Sequence, residues 1–262
     1  MVAAMAELKP IPKTALVTGA AHRIGRAIVL ALVREGWAIA VHYQNSRAEA
    51  EALASEIISG GGRAAAVQAD LSREADTAGL VAKAVAALGP VGLVVNNASQ
   101  FERDTVETAT RGSWDQHIET NLRAPFVLIQ ALARRLPADT AGAVINLLDQ
   151  RVWNLTHDFV SYTLSKAGLW TLTQTMALAL APRIRVNGIG PGPVLPSPHQ
   201  SHEQFRQQWE AMPLGRGAQP EEIAAAVLFI LSAPAMTGQM IALDGGQHLC
   251  WAPPKRGQVL AE

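Results

Sequence analysis

The stretch TALVTGAAHRIGRAIVLALVREG, residues 14–36, decides the fold. Its first six residues, 14–19, form an apolar run that ends in glycine, which is typical of a buried β-strand. The residues from 23 onward have the apolar spacing of a helix, and Gly36 is placed to end it. A buried strand that leads directly into a helix predicts an α/β fold with a parallel sheet.

The same alternation of strands and helices continues along the chain. Six further strands are predicted at residues 37–43, 63–71, 92–98, 141–149, 183–190 and 238–246. Helices are predicted between them at residues 46–62, 74–89, 113–136, 161–181 and 221–232. Because these strands are apolar on both sides, helices are expected to cover both faces of the sheet. The pattern predicts a doubly wound, three-layer α/β sandwich with a central, mostly parallel seven-stranded sheet in a single domain.

No linker, repeat or low-complexity segment interrupts residues 13–247. One domain is therefore predicted at residues 12–248, with terminal tails at 1–11 and 249–262. Residues 190–204 are rich in proline and are expected to be irregular, and a loop of that length is usually functional or mobile. The segment 193–212 is interpreted as a substrate lid, and its side wall is expected to include Trp153, His199, Phe205 and Trp209.

Charge and composition argue against several kinds of partner. The 262-residue chain carries 22 basic and 22 acidic residues, so no excess charge points to nucleic acid or to a membrane surface. No apolar segment reaches the roughly 18–20 residues that span a bilayer. The single cysteine, Cys250, excludes an intrachain disulfide, and no cluster of histidine, cysteine and aspartate has metal-binding spacing. A cytoplasmic protein without a metal is therefore expected.

Two glycines lie between the first strand and the first helix. Gly19 permits a tight turn, and Gly25 permits close packing of the helix, whose N-terminus can hold a pyrophosphate. The usual spacing of such a dinucleotide-binding loop has a further glycine, and here that position is Arg23. The alternative is a turn with a structural role alone.

The end of the second strand indicates which dinucleotide would bind. An acidic residue there would accept hydrogen bonds from a ribose 2′-hydroxyl and repel a 2′-phosphate. The chain has no acid at this place before Glu49 and offers polar or basic groups instead, namely His42, Gln44, Asn45, Ser46 and Arg47. Arg47 can pair a phosphate bidentately, which favours NADP(H). In the alternative interpretation, Arg47 lies only in the first turn of a solvated helix.

Tyr162 and Lys166 are the strongest candidates for catalytic residues. They are four residues apart in a predicted helix, so they share one face. An ammonium group beside a tyrosine favours the tyrosinate, so Lys166 is expected to bring the Tyr162 pKa closer to working pH.

The order and spacing of these motifs resemble the short-chain dehydrogenase/reductase family over about residues 12–248. The motifs are Gly19 with Gly25, Asn96-Asn97-Ala98, Asn121, Tyr162 with Lys166, and Pro191-Gly192. The resemblance implies a Rossmann-type fold, a homotetramer, Asp70 on the adenine, Lys166 on the nicotinamide ribose, and Asn121 beside a water that leads to the lysine. The implied cofactor site comprises Gly19, Arg23, Ile24, Gly25, Asn45, Ser46, Arg47, Asp70, Leu71, Asn97, Ala98, Tyr162, Lys166, Pro191 and Gly192.

A narrower resemblance connects the chain to the pteridine reductases and the related bacterial dihydromonapterin and dihydrofolate reductases. It rests on TGAAHRIG, HYQNS, NNASQF, an aspartate thirteen residues before the tyrosine, and RVNGIGPG. It implies that Arg23 reaches both cofactor phosphate and pterin, and that Phe101, two places after Ser99, stacks on the pterin ring. The chain departs from this pattern at Gln44-Asn45, where pteridine reductases tend to have His-Arg.

Asp149 occupies the place where most members of the wider family have a serine. A serine hydroxyl can polarise a ketone but is a poor source of protons, whereas a carboxylic acid can protonate a ring nitrogen or accept N–H groups of an aminopyrimidine. Lys166 would tend to keep Asp149 ionised and burial would tend to neutralise it, so its protonation state stays open. The alternative is a strand-end residue bonded to nearby backbone amides.

Three functions are compatible with these residues. The first is an NADPH-dependent reductase of a dihydropterin of the dihydromonapterin, dihydrobiopterin or dihydrofolate type, with catalytic residues Asp149, Tyr162, Lys166 and Asn121. Its pterin slot would comprise Arg23, Ser99, Phe101, Asp149 and Tyr162. The second is a carbonyl reductase acting on a ketone or a 3-oxoacyl thioester. The third is a non-catalytic NADP-binding sensor.

Overall fold

Seven parallel strands form one sheet in the order β3-β2-β1-β4-β5-β6-β7. The computed structural model describes residues 9–197 and 200–250. Every neighbouring pair of strands is parallel, which is more regular than the mostly parallel sheet predicted. The strands are β1 (Thr14–Val17), β2 (Ala38–Tyr43), β3 (Ala64–Gln68), β4 (Leu93–Asn96), β5 (Gly142–Leu147), β6 (Ile184–Pro191) and β7 (Met240–Leu243).

Helices cover both faces of this sheet. They are α1 (Arg23–Arg34), α2 (Arg47–Ser59), α3 (Glu74–Leu88), α4 (Arg111–Ile118), α5 (Ala124–Arg135), α6 (Val160–Leu180), α7 (His202–Glu210) and α8 (Pro220–Ser232). In β1, Ala15 and Val17 pack in the core beneath α1, α2 and α8, whereas Leu16 packs in the core beneath α3 and α5. Alternate side chains of one strand thus enter opposite cores. The predicted three-layer, doubly wound fold is confirmed.

The long helix predicted at residues 113–136 is interrupted in the middle. A π-turn at Glu119–Arg123 separates α4 from α5, and the Ala124 N–H donates to Glu119 O, five residues back. Pro125 follows and has no N–H with which to continue regular bonding to the carbonyl of Asn121. The prediction of one uninterrupted helix was wrong for this reason, and Asn121 lies in the turn that results.

Two further boundaries differ from the sequence prediction. The stretch 190–204 was expected to be irregular throughout, but its last residues belong to α7, which begins at His202. Ser201 caps this helix by accepting a hydrogen bond from the Gln204 N–H. The last strand is shorter than the predicted 238–246, because Gly238 and Gly245 have φ of +69° and +63°, outside strand geometry.

Some expectations concern residues that the structure does not describe. His199 lies outside the described residues, as do most of the predicted tails. Among the described residues, no helix is both long and apolar enough to cross a membrane.

Candidate active site

A cavity of about 650 Å³ opens at the carboxyl ends of β1, β4, β5 and β6. This edge includes the point between β1 and β4 where the strand order reverses, the place where doubly wound sheets bind ligands. The cavity brings together all of the predicted site residues except Arg47, Asp70 and Asn121. The predicted cofactor loop and the predicted catalytic pair therefore face one space.

The glycine loop is held in place from two sides. Gly19 has a φ of +59°, and the Asn97 amide donates to the carbonyls of Thr18 (2.9 Å) and Gly19 (3.1 Å). A Cβ atom on Gly25 would lie 2.2 Å from Gly19 O, so only glycine fits there. His22 makes no side-chain cap on α1. The first-turn N–H groups of α1 are thus available to an anion.

Arg23 adopts the backbone conformation that glycine favours, with a φ of +52°. This explains why the usual spacing has a glycine at this place. The Arg23 Nη2 donates to Leu195 O at 3.3 Å, and partial burial lowers the pKa of its guanidinium. Arg23 therefore links the glycine loop to the 193–212 segment.

His42 supports the loop rather than offering a free polar group to a cofactor. It is 2% exposed, and its Nδ1 accepts the Gly19 N–H at 3.1 Å. Its Nε2 lies 3.2 Å from Ala69 O and acts as the donor, because Nδ1 is the acceptor. Burial lowers the pKa of His42 to about 4, so the ring is neutral near pH 7.

Only some of the polar residues that follow β2 line the cavity. Asn45 and Ser46 line the cavity, whereas the Arg47 side chain is 74% exposed and pairs with Glu51 at 2.7 Å. Asp70 accepts hydrogen bonds from Ser72 and from the Gln44 amide, and those bonds, chiefly the one from the Ser72 hydroxyl, lower its pKa. The roles of Arg47 on a 2′-phosphate and of Asp70 on an adenine stay predictions.

Asp149, Tyr162 and Lys166 meet where β5 ends beside α6. The Tyr162 hydroxyl donates to Asp149 Oδ2 at 2.8 Å, while Asp149 Oδ1 accepts the Arg151 N–H at 2.8 Å. The Lys166 Nζ donates to Leu147 O at 2.8 Å and lies 5.8 Å from the centre of the Tyr162 ring. Both oxygens of Asp149 therefore act as acceptors.

Burial has the largest effect on the pKa values of Tyr162 and Lys166. It raises the pKa of Tyr162 well above its ordinary value, Asp149 raises it further, and Arg151 opposes both. It also lowers the pKa of Lys166 to about 8, against the attraction of Asp149. The expected shift of the Tyr162 pKa toward working pH is wrong for this structure, because burial and a neighbouring carboxylate outweigh a nearby cation.

Asn121 lies behind the cavity and joins two of its walls. Its Oδ1 accepts the Gln100 N–H at 2.8 Å, and its Nδ2 donates to Gln100 O at 2.9 Å and to Ser165 Oγ at 3.0 Å. The Ser99 hydroxyl also reaches Asn121 Oδ1, at 3.2 Å. The side chain thus fixes the loop after β4 against α6. The water implied beside Asn121 stays a prediction.

Phe101 belongs to a wall of stacked aromatic rings. Its ring is parallel to that of Phe159, with centres 4.7 Å apart, and meets Tyr162 edge-on at 4.7 Å. Phe159 therefore covers one face of Phe101. The Arg151 guanidinium lies 4.6 Å from the centre of the Phe159 ring and also lines the cavity.

The predicted lid segment forms the outer wall of the cavity. Leu195, Ser197 and Phe205 line it, and the indole of Trp209 donates to Pro193 O at 3.1 Å. Trp153 is not among the lining residues; it is 46% exposed and packs edge-on against His248 at 5.3 Å.

Comparison with known proteins identifies the family. A family model described as enoyl-(acyl carrier protein) reductase matches residues 19–248. The 3-oxoacyl-[acyl-carrier-protein] reductase FabG of Staphylococcus epidermidis is 34% identical over 242 residues, which cover 90% of this chain and 99% of the relative. The chain belongs to the short-chain dehydrogenase/reductase family. The predicted oxidoreductase of this family is thereby confirmed.

Two solved structures connect this short-chain dehydrogenase/reductase to a particular branch. FolM alternative dihydrofolate reductase 1 from Brucella canis, solved with NADP, is 46% identical, with a TM-score of 0.87 and coverage of 94% of this chain and 98% of that one. The Brucella suis protein of the same name, also with NADP, is 48% identical, with a TM-score of 0.89 and coverage of 92% and 97%. The predicted pteridine reductase-like branch is confirmed, and the bound NADP agrees with the predicted cofactor.

Three side chains beside the site, Phe159, Arg151 and His117, were not predicted from the sequence. Phe159 has a left-handed φ of +61°, which nothing in the sequence indicates. Arg151 comes two residues after Asp149, and that closeness was a usable signal. His117 lies one helical turn before Asn121 and is 1% exposed.

Proposed function

We propose that the protein is an NADPH-dependent reductase of a dihydropterin of the dihydromonapterin, dihydrobiopterin or dihydrofolate type, which transfers hydride to a ring C=N bond. The observation that carries this proposal is the 2.8 Å hydrogen bond from the Tyr162 hydroxyl to the Asp149 carboxylate at the cavity. The Brucella proteins named as alternative dihydrofolate reductases support it.

The chain's own residues fit a nicotinamide dinucleotide. Gly25 leaves a space that a Cβ atom would fill, and α1 begins there without a side-chain cap, which suits a pyrophosphate. Lys166 lies where it can meet ribose hydroxyls. When bound, NADPH supplies the hydride. The residues proposed to hold it are Gly19, Arg23, Ile24, Gly25, Asn45, Ser46, Arg47, Asp70, Leu71, Asn97, Ala98, Tyr162, Lys166, Pro191 and Gly192.

Tyr162 is the proposed carrier of the proton. Its raised pKa keeps the phenol protonated. When a bound ring nitrogen replaces Asp149 as the acceptor of the O–H, that proton passes to the nitrogen while the adjacent ring carbon gains hydride. The Tyr162 O–H bond breaks as the N–H bond forms, and solvent then returns a proton to the tyrosinate. Asp149 orients the phenol, and its acceptor oxygens can also meet N–H groups of an aminopyrimidine.

Five side chains are proposed to shape the pterin slot. Phe101 lines the cavity and can offer an aromatic surface to a flat ring, while Phe159 stacks on it and the Arg151 guanidinium lies 5.7 Å from its centre. Arg23 supplies N–H donors and Ser99 supplies a hydroxyl oxygen at the same cavity. Asp149 and Tyr162 complete the slot.

A second candidate function is reduction of a 3-oxoacyl thioester. The 34% identity to the Staphylococcus epidermidis enzyme favours it. Against it stands Asp149, because an acceptor carboxylate cannot donate to a carbonyl oxygen as a serine hydroxyl can. The third possibility, a sensor without turnover, is disfavoured by the paired Tyr162 and Lys166 in the cavity.

Oxidation of NADPH with a 7,8-dihydropterin and with an acetoacetyl thioester tests the proposal. We expect turnover of the dihydropterin, and a higher kcat/KM with NADPH than with NADH. Turnover of the thioester alone would favour the carbonyl reductase, and turnover of neither would favour the sensor. A preference for NADH would overturn the cofactor assignment.

We also infer that the protein is a cytoplasmic homotetramer. Short-chain reductases usually associate through their two long helices and last strand. Apolar side chains on the outer surface of α6, Leu164 and Leu178, support this assembly, since they are 47% and 84% exposed in the single chain.

A further inference from the structure

Three buried polar side chains lie directly behind the aromatic wall of the cavity. Asp104, His117 and Ser161 are 2%, 1% and 0% exposed, and none of them lines the cavity. They come from three segments: the loop after β4, the end of α4 and the first turn of α6. A buried polar group is costly unless it is hydrogen-bonded, so a connected group of three requires an explanation.

We call these three side chains, Asp104, His117 and Ser161, the relay. The hydrogen bonds of the relay all run in one direction. The Glu102 backbone N–H can only donate, and it meets His117 Nε2 at 3.1 Å. His117 therefore carries its proton on Nδ1 and donates to Ser161 Oγ at 2.7 Å. The Ser161 hydroxyl donates in turn to Asp104 Oδ2, while the Ser161 N–H donates to Asp104 Oδ1 at 3.2 Å. A donor at one end and a carboxylate at the other fix this order.

The relay supports both the stacking wall and the catalytic phenol. The Phe159 N–H donates to Asp104 O at 2.7 Å, and Phe159 stacks on Phe101. Tyr162 follows Ser161 in the chain, and its ring lies 6.0 Å from that of His117. The loop that carries Phe101 and the turn that carries Tyr162 are thus tied to each other through these three side chains.

We propose that His117, Ser161 and Asp104 are positioning residues that set the Phe101 ring and the Tyr162 hydroxyl at a fixed separation around the substrate ring. This inference rests on the proposed function for the identity of that ring. The relay touches neither substrate nor cofactor and acts through the two residues that do.

The relay needs a neutral His117. A protonated ring would carry a hydrogen on Nε2 and turn it toward the Glu102 N–H, so that two donors would face each other. Burial lowers the pKa of His117, and Lys166 lowers it too, whereas Asp104, Glu102 and a hydrogen bond with the Ser113 backbone oppose the shift. Burial is the largest of these effects, and it favours the neutral ring that the relay needs.

Ser161→Ala tests the proposal, with Thr173→Val as the matched control. Both changes remove one fully buried hydroxyl from α6, and Thr173 bonds Leu169 O and the Asn146 amide at a distance from the cavity. In Ser161→Ala we expect the KM for the dihydropterin to rise, kcat to fall and kcat/KM to drop roughly ten- to a hundredfold. The Kd for NADPH should stay unchanged. Thr173→Val should lower Tm without changing KM.

Unchanged kcat and KM in folded Ser161→Ala would overturn the proposal, as would an equal loss in Thr173→Val. Asp104→Asn keeps the shape but replaces one of the two acceptor oxygens with an N–H donor, so one of the two Ser161 donors loses its partner; it provides a second variant with the same expected loss. Nitrogen NMR of the wild-type imidazole rings adds a readout without activity: we expect His117 protonated on Nδ1, and protonation on Nε2 would contradict the relay. If the wild type reduces only a thioester, the proposed function fails, and the same variants then test the relay on that substrate.

Discussion

Asp149 uses its two carboxylate oxygens for two different partners. Oδ1 caps the short helical turn Gln150–Val152 through the Arg151 N–H, and Oδ2 accepts the Tyr162 hydroxyl. The sequence raised these two roles as alternatives, a strand-end cap or a catalytic group, and the geometry combines them. Because the cap fixes the carboxylate, the direction of the Tyr162 hydroxyl is fixed as well.

At the residue scale, Lys166 gives the reaction a pH dependence. Its pKa is lowered to about 8, because burial disfavours the charged form. As pH rises through that value the ammonium is lost, and with it the group proposed to hold the ribose. We expect kcat/KM to fall about tenfold per pH unit above that point.

The measurement is a profile of kcat/KM from about pH 6 to about pH 10 with the dihydropterin. Stability measured over the same range separates loss of chemistry from unfolding. A flat profile up to the upper end would show that the charge on Lys166 is not needed.

The residues of the site were predictable where the spacing of a motif indicates them. They were not predictable where their contacts depend on tertiary packing. The sequence predicted that Tyr162, Lys166, Asp149 and Phe101 share one site, and the cavity brings them together. It could not indicate that Phe159 covers one face of Phe101, because that contact depends on a left-handed backbone before α6. It also overestimated the effect of Lys166 on the Tyr162 pKa, since depth of burial is not visible in a motif.

At the element scale, the contact between the glycine loop and α1 depends on one missing methyl group. A Cβ atom on Gly25 would lie 2.2 Å from Gly19 O and 2.9 Å from the Cα of Ala20, both backbone atoms that cannot turn away. We expect Gly25→Ala to abolish NADPH binding and to destabilise the fold by about 1–3 kcal/mol.

Gly79→Ala is the control, because Gly79 lies within α3 with nothing within 4 Å of its added Cβ atom. The same substitution there should raise the free energy of unfolding by about 0.5–1 kcal/mol and leave the Kd for NADPH unchanged. NADPH titration and thermal unfolding of both variants measure this. Normal NADPH affinity in Gly25→Ala would refute the assigned role of the loop.

Strands and long helices were predictable because their apolar runs are continuous. Two elements were not. The short helix α7 follows the proline-rich stretch before it, and its capping box of Ser201 and Gln204 was overlooked. The π-turn at Asn121 leaves the apolar spacing nearly intact, so only Pro125 hinted at it.

At the scale of the whole molecule, the proposed homotetramer gives a direct expectation. Four chains of 27.8 kDa have a mass of about 111 kDa. Light scattering on a size-exclusion column, at two protein concentrations, should give that value at both. A mass near that of one chain would contradict the assembly and leave Leu164 and Leu178 without a partner surface.

The measurement that tests the central claim most directly is the ratio of kcat/KM for a 7,8-dihydropterin to that for an acetoacetyl thioester, in the wild type and in Asp149→Ser. We expect the wild-type ratio to exceed one by a wide margin. Since an oriented proton donor contributes about a hundredfold or more, Asp149→Ser should lower kcat for the dihydropterin by at least about tenfold and reduce the ratio. An unchanged kcat in that variant, or a wild type that prefers the thioester, would contradict the account.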